Sequence, residues 1–359
     1  MFTQSNRLAP DYRNVDTTLI DADTYADVNI HNKIYNKIKN NIIVINSVDR
    51  NWYNYPLETP YNFLVKLGGS SKDKYSIVSH NYKNIISFSI EKIILSNRVS
   101  NNSYIATLTP RLNDNPYITV IAKGINFSSY GTNKILNETI GIYTPLMPSA
   151  ITLSDISYLE FKNSSVQTKE YYPAPESYIS QLDLSITTPN GVLASNLNDV
   201  LEIYSIFLNT SNLSISPITN TLIIQTKTFF SANEFRINDL IHINNYTYHN
   251  MSFDESGIFN NWVNTSSSRG NANGHYIIGI DKSNSTTTLY NQIMIPIPAS
   301  LSILTGNIVV EPWFIDFDTK SLSNIAIEVA SGKLININTQ SHLIVNIKTI
   351  EKTVTQFYK

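Results

Sequence analysis

The chain has 359 residues, 42% of them hydrophobic, enough to bury one large core or two medium ones. Only 15% are charged and the net charge is −2, which argues against a general nucleic-acid binder, since that needs clustered Lys and Arg to displace counterions. The chain has no cysteine, which excludes disulfides, thiol catalysis and Cys-based zinc sites.

Asn, Ser, Thr and Tyr stand where charges usually would, giving a polar but weakly ionic surface suited to packing against neighbours. The densest basic cluster, Lys33, Lys37 and Lys39, is too small for a nucleic-acid footprint. No signal-like stretch opens the sequence, and no apolar run approaches the roughly 18 residues of a membrane span. Assembly in a reducing cytoplasm fits the absence of cysteine. Asn-x-Ser/Thr triplets at Asn126, Asn137, Asn163 and Asn264 are what an Asn- and Ser-rich chain makes by chance.

Residues 1–40 have scattered apolar positions and no sustained period, so they read as an arm, disordered alone or docked on a neighbour, with a short helix allowed near 31–39. From residue 41 the pattern is almost entirely strand. Phe63, Val65 and Leu67 alternate with Asn62, Leu64 and Lys66. Ile86, Phe88 and Ile90 alternate with Ser87, Ser89 and Glu91, and Leu182, Leu184 and Ile186 with Asp183, Ser185 and Thr187. Period-two alternation places each apolar set on one sheet face and the polar set toward solvent or a partner. Turn signals fall at Pro189-Asn190-Gly191, at Asn244-Asn245 and at Ser331-Gly332-Lys333. A polar, proline-containing stretch at 209–220 suggests a boundary, and 252–275 reads as a long loop. The expectation is an all-β chain: an arm (1–40), a jelly-roll-like β-sandwich (41–210) and a second C-terminal β unit (221–359).

The segment INSVDRNWYNYPLETPYNFLVKL concentrates contact chemistry. Asp49 is suited to accept from turn N–H groups, Arg50 to make a planar bidentate contact, and Trp52, Tyr53 and Tyr55 to offer large surfaces with little entropy to lose. These side chains serve either to cover the end of the sandwich or to bind another subunit, because aromatics and Arg are enriched in both roles. Trp262, in the long loop, is a further contact candidate.

Ile45-Asn46-Ser47-Val48-Asp49-Arg50, followed by Pro56, Pro60 and Asn62-Phe63-Leu64-Val65, resembles a block in capsid-associated and minor capsid proteins of nucleocytoplasmic large DNA viruses, the giant viruses. The strand ISFSIEKIILSN (86–97) follows in such proteins. YYPAPESYISQLDLSITTPNGVLASNLNDVLEIYSI (171–206) and FFSANEFRINDLIHI (229–243) are similar to two further blocks, and together they cover roughly 41–245. The family's Pro-Asn-Pro is replaced here by Thr59-Pro60-Tyr61. The resemblance implies a non-enzymatic virion protein with a jelly-roll domain, assembled in the host cytoplasm. It would contact the major capsid protein and other minor capsid proteins, or form the vertex, in repeated copies. The resemblance brings no catalytic residue with it.

Catalytic readings are weaker. Asp316 and Asp318 lie two apart beside Trp313 and Phe314, a pattern shared by glycosidase pairs and by acids on any solvated strand. His242 and His249 flank Asn244-Asn245 without a third metal ligand. Asp21, Asp23 and Asp27 mimic a calcium loop, but Ala26 and Asn32 stand where it needs Gly and Glu. No catalytic, cofactor or metal residue is therefore assigned. The alternative to a structural role is a receptor- or glycan-binding surface around Trp52, Trp262 and Trp313.

Overall fold

The computed structural model describes residues 30–55, 57–69, 76–98, 112–125, 137–146, 157–163, 168–209, 221–248, 260–265, 273–282, 289–296 and 330–358. These form two curled, predominantly antiparallel sheets with nearly no helix. The first is 11-stranded. Its main path runs β1 (Ile30–Asn46), β18 (His342–Tyr358), β4 (Lys83–Ser96), β7 (Tyr158–Asn163), β6 (Thr139–Pro145), β5 (Ile118–Lys123), β10 (Gln181–Thr187), β2 (Asn62–Leu67) and β3 (Ser76–Val78). Two short strands, β8 (Lys169–Glu170) and β9 (Glu176–Tyr178), also pair with β4. The second sheet is 7-stranded: β14 (His275–Tyr276), β13 (Leu240–Tyr248), β17 (Ala330–Asn336), β11 (Val200–Asn209), β12 (Thr221–Phe230), β16 (Tyr290–Pro296) and β15 (Gly279–Asp281).

The two sheets do not follow one another along the chain. The strands from β11 to β17 are set between β10 and β18, so the second sheet is an insertion into the first. Its two ends meet: Val200 lies opposite Ile335, and the Asn336 N–H donates to Asp199 O at 2.9 Å. Adjacent ends let an insertion leave its host undisturbed. The stretch 209–220, expected as a boundary, instead joins β11 to β12, which are neighbours in one sheet. The last strand, counted by linear order with the second unit, returns to the first sheet and pairs with β1 from Asn46–His342 to Ile30–Tyr358. A helix near 31–39 is thus replaced by strand, while residues 1–29 lie outside the described residues.

Each sheet has its own core. Phe63, Val65 and Leu67 are buried in β2, and Leu182, Leu184 and Ile186 in β10, as their alternation requires. In β4 the pattern is more complex. Ile85, Phe88, Ile90, Ile93 and Leu95 are its fully buried apolar positions. They are not in one period, because the register with β18 slips at Ile86 and again at Glu91. Each bulge inserts one residue and reverses the facing. Ile85 therefore shares the facing of Phe88 and Ile90, and Ile86, expected on that face, is buried at the bulge itself. Ser87 and Ser89, expected to face solvent or a partner, are buried as well.

Two predicted turns are bulges too. β13 runs straight through Asn244-Asn245, and its pairing with β17 shifts between Asn244 and Thr247. Asn245 has φ 53°, a conformation Asn tolerates inside a strand as it would in a turn. Opposite it, Gly332 (φ 144°) lies within β17, and an added Cβ would stand 3.0 Å from the Tyr246 Cα. The Ser331-Gly332-Lys333 signal thus marks close strand approach, not a turn. Gly332→Val is expected to destabilise the second sheet by about 1–3 kcal/mol, read as a lowered urea midpoint. Pro189-Asn190-Gly191 does turn: Gly191 has φ 79° and its N–H donates to Thr188 O.

Candidate functional site

The INSVDR segment lies where the two sheets meet. After β1, Ser47–Asp49 form a single 3-10 turn, and the next residue drops into the protein. Arg50 is 2% exposed, the largest fully buried side chain of the described residues. Its Nη2 donates to Asp199 Oδ2 at 2.5 Å. Its Nη1 donates to Ser47 O and to Gln340 Oε1, both at 2.8 Å, and its Nε to Glu58 O at 3.3 Å. The contact with the carboxylate is made through one nitrogen, so the expected bidentate geometry is not used; the other donors go to the turn's own backbone and to Gln340. Burial pushes the Glu58 carboxyl above its ordinary range, with the Leu64 hydrogen bond and then Arg50 pulling the other way.

A second ion pair repeats the arrangement. Arg98, two residues beyond β4, donates Nη1 and Nη2 to the two oxygens of Asp239, each at 2.6 Å. Here the fork is bidentate. Asp199 and Asp239 each lead directly into a strand of the second sheet, within the similar runs LNDVLEI (197–203) and INDLIHI (237–243). Each Arg follows a strand of the first. The connection between β17 and β18 ties the pairs together. Gln340 Nε2 donates to Asp199 Oδ2 at 2.8 Å and to Asn336 O at 2.6 Å. Asn336 Nδ2 donates to Asp239 Oδ2 at 2.7 Å and to Glu234 O at 2.6 Å. Ser47 Oγ donates to Gln340 Oε1 at 2.7 Å, and Ser341 Oγ to Pro60 O at 2.5 Å. The result is one continuous polar chain: Arg50, Asp199, Gln340, Asn336, Asp239, Arg98. The sequence reading selected Arg50 and missed the other five; the repeated Asn-Asp before an apolar strand was the available signal.

The aromatic turn spans the same junction. Trp52 and Tyr53 meet edge to face at 6.3 Å, and both are half-buried, as is Tyr55. Lys333, from the second sheet, lies 5.0 Å from the Tyr53 ring centre and donates to Tyr53 O at 2.8 Å. Asp49 remains exposed; it accepts from Asn46 Nδ2 at 3.3 Å and not from the backbone. The carbon faces of this turn therefore cover the join between sheets, while Asp49 points out.

The 252–275 stretch is packed where it is described. Residues 260–263 make one helical turn, and Val263 is fully buried in the second core. Asn264 Oδ1 accepts from Tyr246 N–H at 2.7 Å and Thr265 Oγ1 accepts from Ile243 N–H at 2.9 Å, holding β13 on both sides of Asn244-Asn245. Trp262 packs against this core and meets His275 edge to face at 4.9 Å. His275 Nε2 lies 3.0 Å from Val263 O, a contact that requires the proton on that nitrogen. His242 approaches Gly274 beside it, whereas His249, Trp313, Asp316 and Asp318 lie outside the described residues. No cluster of three or more potential metal ligands occurs among the described residues.

Burial lowers the pKa of His275, and of the half-buried His242 and His342. The unfolded chain therefore takes up protons first as pH falls through about 6.5. Stability is complete above that value and is lost below it, by at most about 1.4 kcal/mol per pH unit for each histidine. His275→Gln is expected to flatten, not abolish, the fall in urea midpoint between about pH 7.5 and 5.5; an unchanged slope would remove His275 from this account.

No family model matches the chain, and neither a curated protein nor a solved structure matches it.

Proposed function

We propose that the chain is an architectural protein of a large icosahedral DNA virus, a minor capsid component present in repeated copies, with its first sheet folded in the jelly-roll manner. The reading is supported by one observation: the INSVDR block, the first of the three blocks whose order carries the resemblance, supplies Arg50 to the clasp between the two sheets. A block whose Arg50 charge is consumed internally suits a rigid building part. Its partners would be the major capsid protein and other minor capsid proteins, reached through the polar, weakly ionic surface. A glycan-binding surface has less support, since Trp52 and Trp262 both pack against neighbouring side chains.

Localisation of the chain in a particle map, or its co-purification with the shell, tests the reading; its absence from purified particles would defeat it. Trp52→Ala resolves the role of the turn. Because Trp52 is half-buried over the junction, the variant is expected to lower the melting temperature, at a cost of about 1–3 kcal/mol. Unchanged melting with lost incorporation into particles would make Trp52 a subunit contact instead.

A further inference from the structure

The core face of the first sheet turns polar at one end. In β1 it runs from Ile45 and Ile43 to Asn41 and Lys39, and in β18 from Val345 and Ile347 to Thr349 and Glu351. In β4 it runs from Ile85 to Lys83, which lie opposite Glu176 and Tyr178 of β9. Directly opposed residues share a face, so these side chains gather at the mouth of the curled sheet. A cavity of about 450 Å³ lies there, bordered by Lys39, Asn41, Lys83, Thr349 and Glu351. Its size is within the usual range for ligand sites, which favour the mouths of barrels. The walls are held in place. Asn41 Nδ2 donates to Ile347 O at 3.0 Å and to Thr349 Oγ1 at 3.2 Å, leaving Oδ1 to accept. Tyr82, which is buried, meets His80 edge to face at 4.7 Å. Their segment is pressed on the end of β2: a Cβ added to Gly68 would stand 2.7 Å from Asn81 Cβ, and the Gly68 N–H donates to Val78 O at 2.8 Å. The rim is available. Lys39 Nζ lies 3.4 Å from Glu351 Oε1, both half exposed. Lys83 and Asn84 are exposed, and no hydrogen bond or ion pair to a described residue engages their side chains. Tyr178, 58% exposed, stands beside Lys83.

We infer that this mouth binds an uncharged oligosaccharide. The chemistry of the side chains selects it. Lys39 and Lys83 balance Glu351 and Glu176, so there is no surplus charge to hold a phosphate, a sulfated chain or an acidic peptide. An apolar ligand would strand the ammonium, carboxylate and amide groups without partners. A hydroxyl both donates and accepts, so it satisfies all three kinds of group. A sugar ring also has an apolar C–H face, which lies flat on an aromatic ring, and Tyr178 offers one at the rim. From Lys39 to Tyr178 the mouth crosses β1, β18, β4 and β9. Three strand spacings make about 14 Å, the length of a short oligosaccharide and not of a single ring. The site is separate from the Trp52 and Trp262 surfaces. It goes beyond the virion role and does not depend on it.

The test is saturation-transfer NMR of the full chain with the neutral disaccharides maltose, cellobiose, lactose and diacetylchitobiose, and with a sulfated heparin disaccharide. Transfer to at least one neutral sugar is expected, and none to the heparin disaccharide. The dissociation constant should lie in the millimolar range, because the rim is exposed and each polar contact replaces one with water. Tyr178→Ala should weaken binding at least about tenfold, as loss of an aromatic anchor does. Lys83→Ala should weaken it about threefold, the loss of one hydrogen bond. Asn84→Gly should also weaken it about threefold. Asn84 has φ 52°, which glycine adopts freely, so that variant keeps its fold. All three should melt as the wild type does, since these side chains are exposed. Lys162→Ala, at the other end of the β4 pairing, should leave binding unchanged. Silence with every neutral sugar, preference for the heparin disaccharide, or binding that survives all three substitutions overturns the inference. Sugar binding by a chain absent from purified particles would leave the site standing and defeat the virion role; a chain found in particles but silent toward the sugars would do the reverse.

Discussion

Arg50→Ala is expected to cost about 3–5 kcal/mol, the penalty for leaving a buried charge without its partner. The side chains of Arg50 and Asp199 are 0% and 4% exposed, so water cannot replace the lost guanidinium at Asp199. Gln340 Oε1, Ser47 O and Glu58 O lose a donor at the same time. Arg50→Lys should recover little, because an ammonium cannot reach four acceptors spread around a planar fork. By contrast, Arg50→Met with Asp199→Leu removes both charges and should lose much less than Arg50→Ala. Urea unfolding of the three variants checks this. If Arg50→Ala and the double apolar variant fall equally, the loss is one of packing and not of charge.

How far the sequence showed this in advance depended on distance along the chain. The alternations in β2 and β10 were readable because a strand reports its buried face to itself, two residues at a time. The bulges in β4 and β13 were not, since a slip of register is a property of the partner strand as well. Asn244-Asn245 and Gly332 have the residue types of turns for the same physical reason they occur here, tolerance of positive φ, and local sequence does not say which use is made of it. The insertion of one sheet into the other depends on β18 returning to β1. The only sign of it is a long, β-branched last strand. Arg50 stood out because its planar guanidinium sits at the head of the aromatic turn, beside Asp49. Its partner lies 149 residues away, and Arg98 is 141 from Asp239, beyond any local pattern.

The second clasp, Arg98–Asp239, is expected to be as costly to break as the first, and the two are expected not to add. Asp239→Ala leaves Arg98, its side chain 7% exposed, with no carboxylate, and it removes one of the two acceptors of Asn336 Nδ2. A loss of about 3–5 kcal/mol follows. Asn336 and Gln340 connect this pair to Asp199, so each variant already loosens the segment that the other depends on. Residues sharing one hydrogen-bond network show coupling of about 0.5–3 kcal/mol. Arg50→Ala combined with Asp239→Ala should therefore cost less than the sum of the two by that amount. The same network makes the sheets unfold together. Far-ultraviolet circular dichroism and tryptophan fluorescence, the latter including Trp52 at the first sheet and Trp262 at the second, should give one coincident urea transition in the wild type. In Arg50→Ala the two curves should separate as the inserted sheet is released from its host. Additive losses with curves that remain superimposed would mean that the two clasps hold independently and that the polar chain between them transmits nothing.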